Sequence, residues 1–151
     1  MGPGEGFRFG PAAPDDLDRL VDLRIAAMRD SLERIGRFDP VRARRRMVEQ
    51  FQPDHTRLIW TGEALAGCVA FPPDGPGRRQ LRHFYLHPDH SGRGLGGAVM
   101  AVLMAEADAE GRAVILTVVR ESPANRFYPR FGFVETGRDE VDIFYARQPR
   151  P

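Results

Sequence analysis

Leu86-His87-Pro88-Asp89-His90-Ser91-Gly92-Arg93-Gly94-Leu95-Gly96-Gly97 is the stretch that decides how this 151-residue chain is read. The residues leading into it, Leu81 to Leu86, read as a strand. Those following, from about Leu95 to Glu110, read as a long helix with Gly111 as its C-terminal stop. Between the two, four glycines fall within residues 92–97. Glycine reaches backbone conformations closed to other residues and lets a ligand touch the main chain. A helix start leaves N–H groups unpaired and carries a partial positive charge. Together these make an anion seat suited to a pyrophosphate, to which Arg93 can add a charge-assisted hydrogen bond. Gly92-x-Gly94-x-x-Gly97 also matches the dinucleotide fingerprint by letter. Pro88 to Ser91, however, separate the first glycine from its strand, and Thr117 stands where that motif needs an acid.

Working outward, Phe7 to Phe9 alternates as a first strand, and Pro14-Asp15-Asp16 offers a cap and an acidic first turn to a helix. Leu17, Leu20, Val21, Leu23, Ile25 and Met28 give that helix an apolar stripe. Asp39 and Pro40 signal a second helix that ends before Pro53 and carries Arg42, Arg44, Arg45 and Arg46 on a solvated face. Ser31 to Asp39 is expected to join the two helices. Arg57 to Trp60 and Leu65 to Phe71 flank a Thr61-Gly62-Glu63 turn as a hairpin. Ala113 to Val119 is a buried strand. Ser122-Pro123 opens a short helix, in which Pro129 forces a kink or an end near Tyr128. Phe133-Val134 and Val141 to Tyr145 are closing strands. The order β-α-α-β-β-β-α-β-α-β-β predicts a single α/β (α+β) domain.

Composition bounds the chemistry. At 42% hydrophobic and 28% charged residues the chain is globular, and a net charge of +1 argues for neither nucleic acid nor membrane as partner. The single cysteine, Cys68, excludes an internal disulfide and a multi-cysteine zinc site. All 22 basic residues are arginine, which removes Schiff-base chemistry, a lysine base and a Gly-Lys-Ser/Thr phosphate loop. His87 and His90 are spaced for metal binding on a turn, but with no cysteine near them no metal is expected. Met1 to Gly6 lacks the layout of a signal peptide, so a cytoplasmic protein is expected.

Two motifs carry a resemblance. The first is Phe84-Tyr85-Leu86-His87-Pro88 followed by Ser91-Gly92-Arg93-Gly94-Leu95-Gly96, and the second is Ala124-Asn125-Arg126-Phe127-Tyr128-Pro129-Arg130-Phe131-Gly132-Phe133. With both in their strand–helix contexts, the chain resembles the GNAT superfamily of N-acetyltransferases from Phe7 to about Arg147. Ser91 stands where the family usually has Gln or Arg, and Glu121 where members often carry Asn.

The resemblance implies a GNAT-like fold. Its mixed, mostly antiparallel sheet would have six or seven strands, flanked by about four helices. Two central parallel strands, Leu81 to Leu86 and Ala113 to Val119, would splay apart around acetyl-CoA. It implies an N-acetyltransferase domain at 7–147, between a flexible N-terminus at 1–6 and a tail at 148–151. The backbone of Phe84, Tyr85 and Leu86 would bond pantetheine. Ser91, Gly92, Arg93, Gly94, Leu95, Gly96 and Gly97 would hold the pyrophosphate. Asn125 and Arg130 would reach pantetheine or the adenosine 3′-phosphate, and Tyr128 would protonate the leaving thiolate. The reaction would be direct attack by a primary amine of a small molecule or peptide in a ternary complex, with a homodimer left open. His83, Glu33, Asp142 and a water wire are the candidates for the base, and Arg34, Arg37 and Asp39 those for reading the acceptor. The alternative is a non-catalytic acyl-CoA-binding regulator on the same fold.

Overall fold

The computed structural model describes residues 6–34, 36 and 39–151. Of the expected flexible end, residues 1–5 lie outside them, as does Arg37. The chain runs β1 (Phe7–Pro11), α1 (Leu17–Arg34), α2 (Pro40–Gln50), β2 (Thr56–Thr61), β3 (Ala64–Ala70), β4 (Arg78–Gln80) and β5 (Arg82–Leu86). It continues through α3 (Leu95–Glu110), β6 (Ala113–Val119), α4 (Ala124–Phe127), β7 (Val134–Arg138) and β8 (Asp142–Arg147). Its internal contacts fall into two compact units, Met1–Ala70 with His83–Ala98 and Phe71–Arg82 with Val99–Pro151.

The first unit is built on a sheet of order β1-β2-β3-β5. β1 pairs antiparallel with β2, and β2 with β3, with a bulge between Ile59 and Trp60. α1 and α2 bury Leu20, Val21, Leu23 and Met47 in one cluster with Leu58 of β2 and Cys68 of β3. Asp39 caps α2 as expected, its Oδ1 accepting from the N–H groups of Val41 (3.0 Å) and Arg42 (3.2 Å). α1 differs at both ends. Pro14–Asp16 forms a short 3-10 turn, and the Asp16 carboxylate accepts from the Ala13 N–H at 2.7 Å. At the far end α1 runs on to Arg34, so Ser31 to Arg34, expected in the connecting loop, are helical. No glycine or proline stops the helix before Gly36.

The second unit is built on a sheet of order β4-β6-β8-β7. β4 pairs in parallel with β6, while β8 is antiparallel to both β6 and β7. Val114, Leu116 and Val118 of β6, with Ile143 and Tyr145 of β8, are buried. From Val99 on, α3 buries Val99, Met100, Leu103, Met104 and Ala107, a stripe at helical spacing. Truncating a side chain such as Leu103, fully buried here, to alanine costs about 2–5 kcal/mol.

The expected single sheet of six or seven strands is therefore corrected, among the described residues, to eight strands in two four-stranded sheets. The reason lies at Leu81, the first residue of the strand read from the sequence, because Arg78–Gln80 before it form a strand of their own. Residues 78–80 pair with β6, and the Leu81 N–H still donates to the Ile115 carbonyl at 2.9 Å. From Arg82 onward the chain joins β3 instead. Residues 78–86 thus serve two sheets, and β5 and β6, the pair expected to splay, belong to different ones. Residues 148–151, expected as a tail, have no secondary structure, yet the Arg150 N–H donates to Asp108 at 2.9 Å.

Candidate functional site

In the first unit the end of β5 is tied down where the His87 N–H donates to the Ala66 carbonyl at 2.8 Å. Pro88–His90 makes one 3-10 turn, closed by His90 N–H to the His87 carbonyl (2.9 Å) and by Asp89 N–H to His87 Nδ1 (3.1 Å). His90 Nδ1 lies 3.4 Å from the Thr61 hydroxyl, so both histidines order the turn. Among the described residues no cluster of three or more His, Cys, Asp or Glu could hold a metal ion. The Ser91 hydroxyl donates to the Pro88 carbonyl at 2.9 Å.

Gly92 and Gly94 then take φ of +75° and +80°, left-handed conformations that disfavour any residue with a Cβ. The Gly94 carbonyl accepts from the Ala98 N–H at 3.1 Å, the first helical bond of α3. The N–H groups of Leu95, Gly96 and Gly97 are those a helix start leaves without partners inside the helix. Gly92, Arg93 and Gly94 are exposed, while Leu95, at 4% exposure, pins the helix start to the core. The glycine turn thus leads into the head of a 16-residue helix.

β5 carries Phe84, Tyr85 and Leu86, each half-buried, behind an irregularity at His83, whose φ is +50°. His83 Nδ1 lies 3.3 Å from the Tyr85 hydroxyl and 3.4 Å from Nη1 of Arg24 on α1. The Arg24 guanidinium also sits over the Tyr85 ring, 5.5 Å from its centroid. Burial pushes the Tyr85 hydroxyl up to about 12, so it stays a neutral donor. Burial likewise pushes the Cys68 thiol up to about 12, and the thiol donates to the His83 carbonyl at 3.3 Å. Cys68 is a core residue and not a nucleophile. Arg24 is absent from the sequence-based candidates. Its one signal there is that it interrupts the apolar stripe of α1, next to Leu23 and four residues after Leu20.

In the second unit the Ser122 hydroxyl accepts from the Ala124 N–H at 3.1 Å and starts α4. The α-helix lasts four residues and tightens to a 3-10 turn over Tyr128–Phe131, ending at Gly132 with φ of +92°. That is the early end that Pro129 requires. Tyr128 is buried at 9% exposure, with ring centroids 5.2 Å from Phe127 and 5.8 Å from Phe133. Phe127 contacts Phe131 at 4.9 Å, and the Arg130 guanidinium lies over Phe127 at 5.6 Å.

Asn125 has a different environment from the one expected. Its Nδ2 donates toward the carbonyls of Val119 (2.9 Å), Arg120 (2.9 Å) and Ser122 (3.1 Å), and its Oδ1 accepts from the Tyr145 hydroxyl at 2.7 Å. The amide is engaged in holding the β6–α4 turn onto β8. Arg147, 4% exposed, completes the support: it donates to the Phe131 carbonyl at 2.8 Å and pairs with both oxygens of Asp108 at 2.9 and 3.1 Å. The structure thus groups Phe84 to Gly97 in one unit and Asn125, Tyr128 and Arg130 in the other. Of the remaining candidates, Glu33 is paired with Arg29 at 2.9 Å, Asp142 lies at the start of β8, and Asp39 serves as the α2 cap.

Comparison with known proteins identifies the fold and the family. Among the solved structures, PaiA N-acetyltransferase from Thermoplasma acidophilum in complex with coenzyme A is similar at a TM-score of 0.77, with 14% identity over 94% of this chain and 98% of that one. An acetyltransferase from Thermus thermophilus is similar at 0.75, with 19% identity over 97% of this chain and 99% of that one. The ribosomal-protein-S18-alanine N-acetyltransferase from Escherichia coli is similar at 0.72, with 16% identity over 96% and 95%. Among curated proteins nothing matches. No helix of the described residues is long and apolar enough to cross a membrane. The family model of the acetyltransferase (GNAT) domain matches residues 53–135, from the turn before β2 through both motifs into β7. The chain belongs to the GNAT acetyltransferase family.

Proposed function

We propose that this chain is a cytoplasmic acetyl-CoA-dependent N-acetyltransferase, with residues 7–147 as its domain, acting on a primary amine by direct attack in a ternary complex. The observation that carries this reading is the turn at Gly92–Gly97, where left-handed Gly92 and Gly94 lead straight into the start of α3, and a helix start is suited to hold an anion. Its fit to a pyrophosphate is chemical: fixed donors, partial positive charge and Arg93 beside them. The coenzyme A held by the PaiA relative supports the same cosubstrate class.

Acetyl-CoA, when bound, supplies an acetyl group activated as a thioester. The chain's own groups do the rest. Backbone N–H and carbonyl groups of Phe84 to Leu86 pair with the pantetheine amides in strand fashion. Leu86 N–H donates to the oxygen on which negative charge develops. The Tyr128 hydroxyl gives its proton to the sulfur as the carbon–sulfur bond breaks. Asn125 acts through the turn it holds, and Arg130 reaches the 3′-phosphate. The amine must arrive neutral, against a free pKa near ~10.4, so its proton leaves through water or a nearby base.

Thermal-shift titration with acetyl-CoA, coenzyme A and NADPH, followed by thiol release over an amine panel, tests the reading. Stabilisation by acetyl-CoA with thiol release is expected, and stabilisation by NADPH alone overturns it. Binding without release across the panel favours the acyl-CoA-binding regulator. In Gly94→Asp, a carboxylate placed at the seat repels the pyrophosphate. The folded variant should lose acetyl-CoA binding, and unchanged affinity would remove the seat from the mechanism.

A further inference from the structure

Arg24 is a buried cation without an anion. It is 8% exposed, and its Nε has no hydrogen-bond partner. Its contacts are the His83 ring at 3.4 Å and the face of Tyr85 at 5.5 Å. Among the described residues no carboxylate lies within ion-pair distance of it. Arg24 also hydrogen-bonds the Tyr85 hydroxyl, and Arg24 and Arg46 both act on it as positive charges. A guanidinium cannot discharge by losing its proton, so burying it without a counter-ion is costly. The backbone beside it is strained too. His83 takes φ of +50°, a conformation that non-glycine residues adopt at a cost and that collects at functional sites. That twist brings the His83 ring between Arg24 and the Tyr85 hydroxyl. Three polar side chains thus converge in the first unit, Arg24 from α1 and His83 and Tyr85 from β5.

We propose that Arg24, with His83 and Tyr85, forms a subsite for a carboxylate on the amine acceptor, so that the substrates are small amino carboxylates. The inference rests on the acetyltransferase reading and specifies its acceptor. The cosubstrate's phosphates have their own seat at Gly92–Gly97, which leaves the acceptor to bring the second anion. Arg24 and Arg46 together disfavour a polycationic acceptor such as a polyamine.

Matched acceptors test this. β-Alanine is compared with β-alaninamide, and glutamate with glutamine, alongside spermidine, in thiol-release assays with wild type, Arg24→Gln and Arg24→Lys. For wild type, kcat/KM for the carboxylate member should exceed that for its amide by at least about tenfold, the scale of one charge-assisted hydrogen bond. The preference should vanish in Arg24→Gln and return in part in Arg24→Lys, with acetyl-CoA affinity unchanged. Equal use of both members by wild type, a preference for spermidine, or a carboxylate preference that survives Arg24→Gln overturns the proposal. Wild type alone decides if the variants fail to fold. If no amine releases thiol, the acetyltransferase reading itself has failed. The subsite is then read from the melting shift that β-alanine and β-alaninamide each cause in wild type, where equal shifts overturn it.

Discussion

Gly67 faces Tyr85 so closely that a Cβ on Gly67 would overlap the Tyr85 carbonyl oxygen and press on Leu86. β3 and β5 are neighbours in one sheet, and β5 carries the backbone assigned to pantetheine and the strand end that leads to the glycine seat. Gly67 therefore sets how near β5 can lie. Gly67→Ala must push that strand away, at a cost on the order of 1–3 kcal/mol. Its midpoint in urea should fall, and acetyl-CoA affinity of the folded fraction should weaken. Wild-type affinity and stability together would show that β5 accommodates the methyl group.

Tyr128→Phe keeps the ring contacts with Phe127 and Phe133 and removes only the hydroxyl. Under the proposed mechanism turnover falls on the order of a hundredfold, while acetyl-CoA affinity stays close to wild type. Full turnover would reduce Tyr128 to packing.

Asp108 joins the head of the tail to Arg147. The Arg147 guanidinium and then the Arg150 N–H hold its carboxyl at about 2, below the ordinary 3.8. With the folded value depressed, the stabilisation is complete above 3.8 and is lost as pH falls through about 2. Melting temperature should drop over that acid window, and Asp108→Asn should lower it at neutral pH while flattening the acid limb. An acid limb unchanged by the substitution would assign it to other carboxylates.

Cys68 is fully buried, and its thiol is pushed up to about 12. A thiol-directed reagent at neutral pH should leave the native protein unlabelled and react with one equivalent after denaturation. Rapid native labelling would mean that β3 opens without global unfolding.

Local signals were legible in the sequence wherever the deciding partner lies within a few residues. Asp39 and Pro40 start α2, Gly111 closes α3, and Pro129 ends an α-helix at Phe127, all by bonds within a turn or two. The glycine turn is of the same kind, since its φ angles and the helix that follows are contiguous. Ser122 also acts within two residues, as the hydroxyl acceptor for Ala124.

What the sequence alone determined is thus the element order apart from β4, the two motifs and the resemblance they carry. Each is encoded by the residue types that its own backbone conformation requires. The tertiary structure decided the rest. The break at Leu81 exists because partners distant in the chain, β6 and then β3, claim the residues on either side of it. Asn125 becomes a brace because Tyr145, on another strand, donates to it. Arg24 reads as one more helix arginine until folding removes its water and brings His83 and Tyr85 to it without an anion. Burial and long-range pairing are properties of the assembled chain, and no local pattern states them.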